Sequence, residues 1–162
     1  MRLVLCLAVL LAGCHLGGEY VSNNRAAADV DRGEVNGRSF EFITNKPEGD
    51  DWQIRIRDNS MSVGYGNQDK SEELGVIRLT KRETRKVWDL IDAIDIEEHK
   101  KGRKDEDEGY VMLRIREPGE EELEHDMFTI YVSRTTEDDD VISLAEYLRD
   151  LVAKYRKEKP NF

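Results

Sequence analysis

The chain reads as an α+β fold, an antiparallel sheet of five or six strands with two helices packed on one face. Three observations predict it. Four strand-like runs precede a helical stretch, and two more strand-like runs separate it from a second. The strand runs alternate apolar with polar residues, so one face of the sheet is covered and the other is wet. Each helical stretch carries a single apolar stripe, so both helices pack on the covered face.

Structure starts near Arg38, where Phe40 and Phe42 alternate with polar neighbours. Lys46-Pro47-Glu48-Gly49-Asp50 is a turn cluster. Trp52, Ile54 and Ile56 then alternate with Gln53, Arg55 and Arg57, a strand with one apolar and one basic face. Asp58-Asn59-Ser60 is turn chemistry, and Met61, Val63 and Tyr65 continue the alternation, which predicts a hairpin. Gly64 suits a bulge. Gly66 to Glu73 is polar and reads as a loop, with a fourth strand from Leu74 to Leu79.

Thr80-Lys81-Arg82-Glu83 has capping-box spacing and opens the first helix, whose apolar stripe is Val87, Trp88, Ile91 and Ile94. The helix ends before the polar run His99 to Gly109. Val111, Leu113 and Ile115 define a strand over Tyr110 to Arg116. Glu117-Pro118-Gly119-Glu120 turns the chain into a partner strand carrying Phe128, Ile130 and Val132, with its start left open among Glu121 to Asp126. The last helix runs from Asp139 or Val141 to about Lys157. Leu144, Leu148, Leu151, Val152 and Tyr155 line one side of it, and acids at its start and bases at its end complement the helix dipole. Trp52 and Trp88 read as core anchors, with a ligand platform as the rival reading.

The first fourteen residues are of another kind. Arg2 precedes an almost unbroken apolar run from Leu3 to Leu11, closed by Leu11-Ala12-Gly13-Cys14. A charged start, a short apolar core and small residues before a cut mark a secretory signal, too short to span a membrane as a helix. With its cysteine directly after Ala12-Gly13, the stretch resembles the lipobox of bacterial lipoproteins. That resemblance implies lipidation of the Cys14 thiol, with Cys14 as the first mature residue. The rival reading, a plain signal that happens to end in these residues, leaves a lone secreted cysteine with nothing to pair with. His15 follows, not an aspartate, which by analogy with Gram-negative bacteria favours the outer membrane. The expected organisation is a signal peptide over 1–13, a lipidated cysteine and flexible tether over 14–37, and one domain over 38–162.

The net charge of the chain is -10, and losing Arg2 with the signal makes the body one unit more negative. Such a body is repelled by phosphate backbones, so nucleic acid is not an expected partner. Anionic lipid repels it too, so the lipid on Cys14 must hold it at the membrane. The two cysteines are Cys6, which leaves with the signal, and Cys14, which the lipid consumes. The mature domain then has no thiol for a disulfide, a cysteine nucleophile or a thiolate metal site.

Few residues carry chemistry. Asp105, Asp107 and Gly109 loosely echo the front of a calcium loop, but the distal glutamate of that loop is missing, and a solvated acidic loop explains them as well. Glu137 to Asp140 is explained by helix-start electrostatics. His99 follows Glu97-Glu98, and His125 lies between Glu124 and Asp126, where carboxylates can raise a histidine pKa. Both read as exposed histidines rather than members of a catalytic pair. No serine sits in a nucleophile elbow, and Gly64-Tyr65-Gly66 is too short for a phosphate-binding loop, so no cofactor is expected. Arg55, Arg57, Arg114 and Arg116 share the polar face of their strands. If those strands lie near each other, the four form a local basic patch able to bind a carboxylate-bearing or polyanionic partner. The rival reading is cross-strand pairing with Glu41, Glu117 or Glu122, which stabilises by fractions of a kcal/mol.

The apolar spacing of Gly75-Val76-Ile77-Arg78-Leu79-Thr80, of the helix Val87 to Ile94 and of Leu144 to Val152 resembles two bacterial groups. One is the emfourin-like inhibitors of thermolysin-type metalloproteases. The other is a set of secreted or lipidated domains of unknown function. The expectation is a non-enzymatic, membrane-tethered binding or accessory domain facing the periplasm or cell surface, with an envelope protein as partner. A lipidated protease inhibitor is the alternative the resemblance implies. A hydrolase or metal-dependent enzyme using His99, His125 and the acidic loop is the third reading.

Overall fold

The computed structural model describes residues 37–47, 49–67, 71–118 and 125–162. The expected signal peptide, Cys14, all of the tether but its last residue, and Glu122 lie outside them. Four strands come first, β1 (Ser39–Asn45), β2 (Asp51–Arg57), β3 (Ser60–Gly66) and β4 (Ser71–Arg78). Helix α1 (Lys81–Ala93) follows, then β5 (Tyr110–Pro118), β6 (His125–Ser133) and α2 (Asp139–Arg156). They build one antiparallel six-stranded sheet in the order β4-β3-β2-β1-β5-β6. Strand β1 is therefore central. It pairs with β2 through a turn and with β5, which follows α1 in the chain.

Alternation sets which face is covered. Phe40, Phe42, Ile54, Ile56, Met61, Val63, Leu113 and Ile130 come from alternate positions of five strands, and all are buried. Val87, Trp88 and Ile91 of α1 and Val141, Leu144, Leu148, Leu151 and Val152 of α2 complete the same core. Burying each such side chain stabilises the fold by about 1.5–3 kcal/mol relative to exposure. Both tryptophans are core residues at 5% exposure, and their indole N–H groups are satisfied. Trp52 Nε1 donates to Asn161 Oδ1 at 3.3 Å, and Trp88 Nε1 donates to the Asp58 carbonyl at 3.2 Å.

The helix ends form as their sequences dictate. Thr80 Oγ1 accepts from the Glu83 amide, and the Glu83 carboxylate reaches back to the Thr80 amide at 2.8 Å, closing the capping box. The Asp138 carboxylate caps α2 by accepting from the Asp140 and Val141 amides, both at 3.1 Å. The helices lie antiparallel. The start of α1 meets the end of α2 through Glu83 and Lys154 at 2.6 Å, and the turn after α1 meets the start of α2 through His99 and Asp138.

The polar segment read as a loop is in part strand, because β4 already begins at Ser71. Its first three residues are exposed edge positions that bury nothing, so they show no apolar alternation. The register between β3 and β4 shifts at Val63/Gly64, where a bulge was expected.

Both sheet edges are blunted. On β4, Arg156 of α2 donates to the Val76 carbonyl at 3.2 Å. On β6, the Tyr131 amide donates to the Lys101 carbonyl at 2.8 Å, so the loop after α1 lies along the edge. Gly102 permits that approach: it has φ +66°, and a Cβ there would stand 1.8 Å from the Tyr131 carbonyl oxygen. Gly102→Ala should therefore lift the loop off β6 and cost about 1–3 kcal/mol. Urea unfolding checks this, and an unchanged midpoint would mean the loop does not lie there.

Candidate binding surface

The outer face of the sheet carries the alternate residues that the core leaves out. Strands β2 and β5 flank β1, so the expected neighbourhood of the four arginines is real. Across one row, Arg55 and Arg114 both register with Glu41; across the next, Arg57 and Arg116 both register with Ser39. Strand spacing puts the members of each arginine pair about 10 Å apart at Cα, and the two rows lie about 7 Å apart.

The rows differ in charge balance. Glu41 lies between its arginines, 3.1 Å from Arg55 Nε through one oxygen and 3.2 Å from Arg114 Nη1 through the other. Arg114 also donates weakly to Thr129 Oγ1 at 3.4 Å, and the Gln53 amide oxygen, turned toward Arg55, accepts from it at 2.7 Å. The cross-strand pairing with Glu41 is thus present, and it neutralises one charge of the row. Glu117 pairs elsewhere: it holds Arg38 at 2.6 Å on the covered side, where the guanidinium also meets Asp92 and lies over Trp88. Burial disfavours the Arg38 charge, but the bonds from Glu117 and Asp92 outweigh it, so its pKa is raised. Arg57 and Arg116 are exposed and make no ion pair among the described residues.

A fifth arginine joins the face. Arg78 of β4 registers with Ser60, which registers with Arg57, so Arg78 continues the Ser39 row. Its signal lay in β4, but the bulge hides which side of that strand faces out. Beyond Arg116 the row ends at Met127, a large apolar side chain left 62% exposed. Toward the other end of the strands, Gly64 and Gly66 leave backbone as the floor of a groove of about 310 Å³ walled by Ile43, Met112 and Tyr110.

Beyond the end of α1, a second cleft of about 590 Å³ is lined by His99, Lys104, Asp105, Asp107, Ser133 and Asp138. His99 is not the free histidine its local sequence suggested. It is half-buried and paired with Asp138, the N-cap of the next helix, rather than with an adjacent acid. Its Nδ1 lies 2.9 Å from the Lys100 carbonyl and its Nε2 lies 3.2 Å from Asp138 Oδ2. Both neighbours are acceptors, so only the doubly protonated ring satisfies both. The Lys100 bond leads in raising the His99 pKa, burial opposes it, and Asp138 adds to the rise. Neither ring nitrogen faces Ser133, whose hydroxyl pairs with Thr135 at 3.0 Å. The pair joins the turn after α1 to the N-cap of α2. A raised folded pKa contributes stability that is full below the ordinary value near 6.5 and is lost as pH rises through the folded value. Across pH 5.5 to 8.5 the native protein should lose its melting-temperature advantage over His99→Gln. A constant gap between the two would rule out this linkage.

Asp105 and Asp107 sit in a turn. Asp105 Oδ1 accepts from the Asp107 and Glu108 amides at 3.1 and 2.9 Å, so the carboxylate closes its own loop. Among the described residues no three His, Cys, Asp or Glu converge as a metal site. His125 is exposed at the start of β6. No described helix is long and apolar enough to cross a membrane. No family model and no curated protein matches the chain.

Proposed function

We propose that the protein is a non-catalytic envelope lipoprotein, held by lipid on Cys14 at the outer membrane of a Gram-negative cell, that binds an acidic partner protein. The outer face of its sheet is the binding surface. One observation carries the reading. On a chain of net charge -10, five arginines from β2, β4 and β5 meet on the sheet face that neither helix covers, with Glu41 between two of them. A basic face on an acidic body draws a partner of opposite sign into one orientation.

A photoreactive residue at Ser62, on the outer face of β3, tests this in intact cells. It should crosslink to one acidic envelope protein, and the adduct should fade in Arg55→Gln/Arg114→Gln or Arg57→Gln/Arg116→Gln. The same probe at Lys86, on the exposed side of α1, should yield none. Equal adducts from both positions would refute the assignment of the face. Inhibition of a thermolysin-like protease by the purified protein would replace the reading with the inhibitor one. Cys14→Ser should release the protein or leave it unprocessed; a cleaved species still fractionating with membranes would place the anchor elsewhere.

A further inference from the structure

We propose that Arg57 and Arg116, with Ser39 as the floor between them, form a site for the carboxylate of an acidic side chain on the partner polypeptide. This rests on the outer-face reading and names the chemistry that the face recognises.

The neighbouring row is the precedent. There Glu41 projects from β1 between Arg55 and Arg114, and each arginine takes one carboxylate oxygen, at 3.1 and 3.2 Å. This sheet therefore grips a carboxylate with two arginines that reach inward from the flanking strands. Two residues along, the same strands repeat the arrangement in the same register, Arg57 and Arg116 about Ser39. A serine stands where the other row has a glutamate. Its side chain is short, and its hydroxyl can donate to the same anion. The two guanidinium groups have no carboxylate of their own among the described residues. Their planar forks suit a carboxylate better than lysines would.

The surroundings favour a polypeptide over a lipid surface. Exposed Met127 adds apolar contact beside Arg116 at the end of the row. That pairing fits an acidic residue next to a bulky apolar one in an extended segment. A single side chain feels only the local field, because charges beyond about 8 Å are largely screened at physiological salt. An anionic bilayer laid on the face would meet the whole acidic body. The chain also has a competitor of its own in Glu120, Glu121, Glu122 and Glu124, which follow β5.

The test titrates hexaglutamate into the full chain and follows the arginine Nε–Hε signals by NMR. Arg57 and Arg116 should shift saturably, and Arg55 and Arg114 much less. Ser39→Glu supplies an internal carboxylate. It should weaken hexaglutamate at least about tenfold while leaving the melting temperature equal or higher. Arg57→Gln/Arg116→Gln, a change at two exposed positions, should weaken it similarly and decides the matter if Ser39→Glu fails to fold. Native-strength binding by these variants, or shifts reproduced by sodium chloride alone, overturns the proposal. So does binding of phosphatidylserine vesicles but not hexaglutamate, which makes lipid the occupant. So does binding seen only after the four glutamates are changed to glutamine, which makes that segment the occupant. If the Ser62 adduct depends on Arg55 and Arg114 but not on Arg57 and Arg116, this site fails and the outer-face reading stands. If it depends on none of the four, both fail.

Discussion

Glu83→Ala should lower the stability of the domain by about 2–4 kcal/mol, by combining the loss of a helix cap with the loss of charge-assisted bonds. Glu83 is buried at 8% exposure at the start of α1, and four bonds converge on it. Besides the Thr80 amide, Thr80 Oγ1 donates at 2.7 Å, Lys154 Nζ at 2.6 Å and Tyr155 Oη at 2.9 Å. The last two come from α2, so one carboxylate both starts α1 and ties it to α2. Burial alone would raise its pKa; the bonds from Lys154, Thr80 and Tyr155 prevail and bring it from 4.5 down to about 2. A lowered folded pKa contributes stability that is full above the ordinary value and is lost as pH falls through the folded one. The contribution, on the order of 3 kcal/mol, should thus fade between about pH 4.5 and pH 2. Glu83→Gln can keep part of the capping box but not the charge, so it should be milder and should lack this acid dependence. Urea unfolding of the native protein and both variants from pH 6 to pH 2.5 checks it. Parallel loss in native protein and Glu83→Gln would show that another carboxylate governs acid stability.

The capping half of that arrangement was legible in the chain, because Thr80 and Glu83 are three residues apart; the α2 half was not, because Lys154 lies seventy-one residues from Glu83. The same division runs through the molecule. Alternation in β2 and β5 put Arg55, Arg57, Arg114 and Arg116 on one face, since side-chain direction is a property of each strand alone. It could not say that β1 lies between those strands. That depends on the path of α1 across the sheet, which local pattern does not encode. Glu41 was a named partner, but nothing in the chain distinguished its row from that of Ser39 until the register was known. His99 escaped for the same reason, having local acids beside it and its real partner thirty-nine residues away. The last three residues, Pro160 to Phe162, have no period at all and gave no sign of packing.

Phe42→Ala should be more damaging still, at about 3–5 kcal/mol. Phe42 is fully buried on the central strand, and its ring lies 4.8 Å from that of Phe162. The final residues form a strap that holds Phe162 there. Pro160 is buried, Asn161 accepts from the Trp52 indole, Arg134 donates to the Asn161 carbonyl at 2.9 Å, and Arg149 bonds the Phe162 carbonyl. A cavity of about 140 Å³ already lies beside the two rings, lined also by Val141 and Ala145. Removing the Phe42 ring enlarges that space, and β1 cannot move in to fill it, because it is fixed by pairing on both sides. Phe162 is only half-buried, so Phe162→Ala should cost less, about 1–2 kcal/mol. The two effects should not add. An aromatic pair in contact is worth about 0.5–1.5 kcal/mol beyond its area, so the double variant should be milder than the sum by about that much. A double-mutant cycle by urea unfolding measures the coupling, and strict additivity would mean that the strap does not rest on the core in solution.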